Sequence, residues 1–368
     1  MNNIIMESGV RSQESGVRSQ ESGVRSQGTL CAYSGYYKDT NTLRQSSSGG
    51  AASILSQIII RNNGTVFGAV YSPDFREAEF ACIEREEELF MLKGSKYIQT
   101  QKRVLINGEY TPLWPLVADK LKAGREVLFT GLGCDVAALY SYLKANHVDT
   151  SKLYTIDLIC FGPAILEIHR QYIESLERKY HSRIKSFTVR HKLKGWTPPY
   201  VRAEFQDGRE YLTPFYETEY GQAFGIYSRE HCYACRFKGT NHQADITVGD
   251  YWGLTPEMPG WNADGVSIFL VRTEKGEDLI RRIDAQEFTI APADSEFIVK
   301  HNPMYYESRE KPQDYAKFCN DLKTSGLHRA IVNHHGVVKY HIMRVKKYVK
   351  KIIPAPVKRI LKAILRRG

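Results

Sequence analysis

Glu126-Val-Leu-Phe-Thr130 followed by Gly131-Leu-Gly-Cys134, and further on Leu153-Tyr-Thr-Ile-Asp-Leu-Ile159 followed by Cys160-Phe-Gly-Pro163, decide how this chain folds. Each is a short run of apolar and β-branched residues closed by a glycine-containing loop, the pattern of a buried strand and its exit. After the first loop Asp135 reads as the cap of a helix through Ala137, Leu139 and Leu143; after the second, a helix runs from Ile165 to Tyr180. Strands alternating with helices at this spacing predict a parallel sheet. Right-handed crossovers put both exit loops at the same carboxyl edge, so Cys134 and Cys160 are expected to lie near each other.

Upstream, Leu30–Tyr37 reads as a strand, Ser46-Ser-Ser-Gly-Gly50 as a loop, Ala51–Ile60 as a helix ended by Asn63-Gly64, and Thr65–Tyr71 as a returning strand. Downstream the pattern turns strand-rich, with Ile184–His191, Tyr200–Phe205, Glu210–Thr213, Asp245–Val248 and Val266–Thr273. These are expected to extend the same body as antiparallel or mixed strands. The fold class is therefore α/β: a parallel or mixed sheet flanked by helices, with a strand-rich extension that carries Cys232-Tyr-Ala-Cys235. The body spans 29–335, with an N-terminal part to about residue 125 and a C-terminal part from about 126.

Two segments fall outside that body. Residues 7–27 are three copies of Glu-Ser-Gly-Val-Arg-Ser-Gln, each with a single valine and a glycine, so no apolar seam forms and residues 1–28 read as a disordered leader. The net charge of +10 belongs to the other end. Eleven of the 51 basic residues lie in 336–368, which has no acid, leaving 40 basic against 41 acidic residues elsewhere. A phosphate-tracking surface over the whole protein is thus not implied, and no nucleic-acid partner is expected. Within the tail, Val357, Ile360, Leu361, Ile364 and Leu365 form a helical stripe beside Lys358, Arg359 and Lys362, and Ile342, Val345, Val349, Ile352 and Ile353 form a similar one. This is the pattern of a helix docked on its own body or lying on an anionic membrane surface. The N-terminus has no basic region followed by an apolar stretch, and no apolar run is long enough to span a bilayer. A cytoplasmic protein, peripheral at the inner face of the membrane through 336–368, is expected.

Seven cysteines, an odd number without a secretory signal, argue for free, metal-binding or catalytic thiols rather than a disulfide framework. Cys232-x-x-Cys235 is the strongest local signal, because two thiolates at that spacing can face one metal across a tight turn. No second CxxC exists, so further ligands must be distant in sequence. Cys134 and Cys160 complete a four-thiolate set suited to a [4Fe–4S] cluster; a redox dithiol, a structural zinc and plain buried cysteines are the alternatives. His231 and His242 read as loop residues, and Cys31, Cys82 and Cys319 as core or surface thiols. Ser48-Gly49-Gly50 opens a helix, where backbone amides and the dipole can hold a phosphate. Ser95, Lys96 and Tyr97 offer a hydroxyl, a cation and a ring to a flavin. Gly131-Leu-Gly133 lacks the third glycine of a dinucleotide fingerprint, since residue 136 is Val.

Taken in order, Ser48-Gly-Gly50, Gly94-Ser-Lys-Tyr97, Gly131 and Cys134 with Val136-Ala, Asp157-Leu-Ile-Cys160 with Gly162, Gly195-Trp196, Cys232-Tyr-x-Cys235, Asp245-Ile-Thr-Val-Gly-Asp-Tyr-Trp-Gly253 and Lys275-Gly276 resemble the beta-subunit family of coenzyme F-420 hydrogenases and dehydrogenases over roughly residues 30–310. The resemblance implies an oxidoreductase in which electrons pass between a [4Fe–4S] cluster, FAD and a deazaflavin or other acceptor. It implies Cys134, Cys160, Cys232 and Cys235 as cluster ligands, and Ser48, Gly49, Gly50, Ser95, Lys96 and Tyr97 as flavin contacts. Bacterial relatives often accompany surface-polysaccharide synthesis. Family members commonly carry Pro and Gln beside the first cysteine, where this chain has Gly133 and Asp135, and many begin with a ferredoxin-like cysteine cluster, where this chain has only Cys31. Electrons are therefore expected from a separate ferredoxin-like donor protein.

Overall fold

The computed structural model describes residues 31–338 and 340. The leader repeats and both apolar stripes of the tail lie outside the described residues. In chain order the elements are β1 (Cys31–Tyr37), α1 (Thr40–Gln45), α2 (Ala51–Arg61), β2 (Thr65–Tyr71), β3 (Ala78–Ile83), β4 (Thr100–Ile106), β5 (Glu109–Pro112), α3 (Leu113–Lys122), β6 (Val127–Leu132), α4 (Gly133–Ala145), β7 (Leu153–Leu158) and α5 (Leu166–Tyr180). They continue with β8 (Ile184–His191), β9 (Tyr200–Phe205), β10 (Glu210–Pro214), α6 (Glu219–Phe224), β11 (Ile246–Asp250), β12 (Ser267–Val271), α7 (Glu274–Arg281), β13 (Phe288–Pro292), α8 (Ser295–Lys300) and α9 (Tyr315–His335).

Ten strands form one mixed sheet in the order β13-β1-β12-β11-β7-β6-β2-β3-β4-β5. Its centre is parallel: β11 pairs with β7, β7 with β6, and β6 with β2. These strands are buried on both faces, which is why they read as unbroken apolar runs rather than as alternation. Successive side chains nonetheless diverge. Val66, Leu128 and Ile156 pack under α2 and α7, while Phe67, Val127 and Phe129 pack under α3 and α4.

The strand-rich extension divides in two. Strands β8, β9 and β10 form a separate antiparallel sheet, which packs with α5, α6 and α9 around Tyr172, Val189, Phe205, Tyr220 and Phe318. Strands β11 and β12 instead join the main sheet. The N-terminal unit also differs from expectation. Strand β1 does not neighbour β2; it lies antiparallel between β12 and β13, because its hydrogen-bond partners come from residues 267–292.

The Ser48–Gly50 turn threads past β1, and this explains its glycines. A Cβ on Gly49 would sit 2.1 Å from the Gly35 carbonyl oxygen and 2.5 Å from the Ser267 amide nitrogen, and Gly50 has φ +99°. The close approach that glycine permits is therefore to the chain's own backbone. Gly49→Ala is expected to lower stability by about 3 kcal/mol through overpacking. A urea midpoint equal to that of the parent protein would refute this packing.

Candidate metal centre

The register of the central strands delivers the cysteines. Leu132 at the end of β6 pairs with Leu158 at the end of β7, and each strand is followed two residues later by a cysteine. Cys134 thus sits in the first turn of α4 and Cys160 in the loop after β7, both at one sheet edge as expected. A third segment, residues 229–242, closes over them. A Cβ on Gly162 (φ +98°) would lie 3.3 Å from the Cys232 Cβ, and one on Gly133 would lie 3.1 Å from the Phe237 Cβ. Both loops therefore rest against the CxxC turn, and glycine is what lets them do so. The Cys160 thiol accepts the Gly162 N–H at 3.3 Å, and the Cys235 N–H donates to Ser308 Oγ at 3.2 Å.

All four thiols are free and half-buried. Burial pushes Cys134 up to about 12, with Asp135, Cys160 and Cys235 adding to the rise. Burial pushes Cys160 up to about 11; the Gly162 N–H and Lys238 oppose it, and Cys232 and Cys235 reinforce it. Cys232 is raised too, by burial first. Neighbouring sulfurs thus add to the burial that opposes ionisation of Cys134, Cys160 and Cys232, a cost that a bound cationic centre relieves. They are gathered but not closed: among the described residues no three His, Cys, Asp or Glu side chains converge on one metal ion. The donor set itself is four soft thiols, which suits an iron–sulfur cluster or zinc. Two cations brace the surrounding loops. Lys238 Nζ donates to the carbonyls of Cys160 (2.5 Å) and Met304 (2.6 Å), and Arg309 donates to the Phe224 carbonyl at 2.9 Å while lying 4.1 Å from the centre of the Phe161 ring.

Beneath the cysteine loops lies a polar network that the sequence did not reveal. His242 lies in irregular backbone as expected, but not as an exposed loop side chain. It is buried, its Nδ1 is 2.6 Å from Asp157 Oδ2, and its ring stacks on Tyr305 at 5.2 Å. Thr247 donates to Asp157 Oδ1 at 2.6 Å, and the fully buried Arg272 donates to Thr247 and to Tyr305. Asp157 Oδ2 is 3.4 Å from where a Gly133 Cβ would stand, so the network supports the Cys134 loop from below. The one available signal is the presence of polar residues, Asp157 and Thr247, inside otherwise apolar strands. His231, by contrast, is exposed. Asp135 is also reassigned. The helix begins at Gly133, and Asp135 reaches back from its first turn to accept the Leu132 N–H at 3.1 Å.

The two loops that carry the expected flavin contacts touch where Ser95 Oγ donates to Ser47 Oγ at 3.1 Å, but several of their polar groups are engaged internally. Ser48 Oγ donates to the Val266 carbonyl at 2.8 Å, the Ser48 carbonyl accepts from the buried Lys192, and the Gly50 and Ala51 N–H groups donate to Ser267 Oγ. Of the amides expected to cradle a phosphate at Ser48-Gly49-Gly50, those of Gly50 and the following Ala51 are thus engaged by Ser267. Lys96 Nζ donates to the carbonyls of Met91, Leu92 and Lys93 at 3.0–3.3 Å, closing the short helix at Glu86–Leu92. Tyr97 is different. Its ring stacks on Phe224 at 4.4 Å, and around it Tyr71 Oη, Tyr220 Oη and Arg190 Nε are buried without a hydrogen-bond partner. Arg190 is held there by Asp250 at 2.8 Å.

Residues 124–296 match the family model for the C-terminal part of the beta subunit of coenzyme F420 hydrogenase/dehydrogenase. No curated protein matches the chain. A similar solved structure is a chain of the xenon-derivatised F420-reducing [NiFe] hydrogenase complex from Methanosarcina barkeri; it is 15% identical, with a TM-score of 0.48, over 84% of this chain and 92% of that one.

Lys96 offers a test of the internal capping role. Burial lowers its pKa to about 7 from an ordinary 10.5. Below about pH 7 both folded and unfolded states hold the proton, and the cost of the buried ammonium is complete; as pH rises the folded state releases a proton that the unfolded chain keeps, so stability increases. The stability of the parent protein relative to Lys96→Met should grow between about pH 7 and about pH 10 in chemical denaturation. A difference that stays flat over that range contradicts the assignment.

Proposed function

We propose that this chain, whose residues 124–296 belong to the coenzyme F420 hydrogenase/dehydrogenase beta-subunit family, is an oxidoreductase that carries a [4Fe–4S] cluster on Cys134, Cys160, Cys232 and Cys235. The observation that supports it most is the meeting of three segments, distant in sequence, in which glycines at 133 and 162 let the Cys134 and Cys160 loops rest against the segment that carries Cys232 and Cys235. When bound, such a cluster accepts and releases single electrons. The chain's own residues would orient the four thiolates, brace their loops through Lys238 and Arg309, and limit water through the apolar sheet edge.

FAD is the second cofactor of this reading. A pyrophosphate at Ser48, Gly49 and Gly50 would have to share a turn whose Gly50 and Ala51 N–H groups already donate to Ser267. What supports a flavin ring near Tyr97 is its aromatic stack with Phe224, beside which Tyr71 Oη, Tyr220 Oη and Arg190 Nε lack a hydrogen-bond partner. Tyr97 would orient such a ring, and Arg190 would donate to it. A coenzyme F-420-type deazaflavin is the acceptor class that the family name supports. A separate ferredoxin-like donor is proposed from the open rim of the cysteine region, where Phe161 beside Cys160 and Arg236 beside Cys235 are exposed. Among the described residues no helix is long and apolar enough to cross a membrane. Attachment to an anionic membrane through 336–368, and a setting in polysaccharide synthesis, belong to the same proposal.

The test is the iron content of anaerobically prepared protein and of the four single Cys→Ser variants. The parent should hold about four irons per chain, and each variant below about two. Full iron retention in Cys160→Ser would sink the ligand assignment, and a colourless parent protein loaded with zinc would replace the redox reading with a structural one.

A further inference from the structure

Beside Cys134 lies a buried ion pair formed by residues 33 positions apart in sequence. Asp135, whose side chain is 3% exposed, has Oδ1 2.7 Å from Lys102 Nζ and 3.9 Å from the Cys134 sulfur. Its other oxygen holds the Leu132 N–H, so the carboxylate is fixed from both sides. Lys102 reaches it from β4. The ammonium also donates to the Thr100 carbonyl at 2.9 Å and to Thr100 Oγ1 at 3.0 Å, and it lies 5.3 Å from the centre of the Phe80 ring. These contacts leave Lys102 little freedom to turn away from Asp135.

We propose that the Lys102–Asp135 pair sets the reduction potential of the cluster, with Lys102 cancelling a carboxylate that would otherwise disfavour the reduced state. This rests on the cluster reading above. Reduction adds one electron, and so one negative charge, to the centre. A bare carboxylate beside Cys134 opposes that charge, and a neutral pair does not. A unit charge about 12 Å from the added electron, at an effective dielectric constant of about 20, changes a one-electron equilibrium by about tenfold, or about 59 mV, and a nearer charge changes it by more. Asp135 and Lys102 are positioning residues here, since neither supplies a ligand.

The experiment is an anaerobic redox titration with dithionite, followed by the electron paramagnetic resonance of the reduced cluster, on iron-loaded parent and variant proteins. Lys102→Met leaves the carboxylate unbalanced and should make reduction about tenfold less favourable. Asp135→Asn keeps an acceptor for the Leu132 N–H and leaves Lys102 unbalanced, so it should shift the equilibrium about tenfold the other way. The double variant should return near the parent value, and Lys102→Arg should match it. Either single variant with its iron retained and its potential unmoved overturns the proposal while leaving the cluster reading intact. A parent protein that takes up no iron overturns both.

Discussion

Everything at the candidate centre depends on the parallel pairing of β6 with β7 in the register that sets Leu132 against Leu158. Parallel neighbours joined by a right-handed crossover end at the same sheet edge. A cysteine two residues beyond each end therefore has no choice but to share that edge with the other. The remaining contacts refine this constraint. Glycines at 133 and 162 remove the side chains that would hold off the 229–242 segment, and the Asp157–His242–Tyr305 network gives the loops a polar floor in which both Asp157 oxygens are bonded while His242 Nε2 and Arg272 Nη1 are buried without a partner. The bonds that are made tie the 229–242 segment to the ends of the central strands.

The electrostatics of the region run in two layers. Nearest the sulfurs, burial first and neighbouring thiols second raise the pKa of Cys134 and Cys160. Further out, Lys238, Arg309 and Lys102 supply positive charge, each tied to carbonyls or to Asp135 rather than left mobile. Fixed charge of this kind acts on a bound centre without reorganising when the centre changes its own charge.

The sheet's heart is legible in the sequence because local pattern and topology agree there: unbroken apolar runs, glycine exits and alternating helices leave a small set of arrangements. The place of β1 is not legible, because its partners lie more than 200 residues downstream and nothing in Cys31–Tyr37 names them. Ser48-Gly-Gly50 shows that the signal of a close approach does not name what approaches. Glycine there marks a close approach of the chain to its own Gly35 and Ser267. Asp135 reads as a helix cap because carboxylates favour helix starts; its actual reach backward to Leu132, and its pairing with Lys102, depend on β4 being brought alongside, which no local spacing encodes. His242 reads as a loop residue because its segment is irregular, yet irregular backbone can still bury a side chain when Asp157 waits beneath it.

Four thiolates from three loops holding one iron–sulfur centre is the claim on which the rest of the functional reading stands. Iron K-edge X-ray absorption of the anaerobically reconstituted full chain tests it most directly. The expected result is a first shell made of sulfur alone with a short iron–iron distance beyond it. A shell containing nitrogen or oxygen ligands, or iron with no iron neighbour, would contradict it.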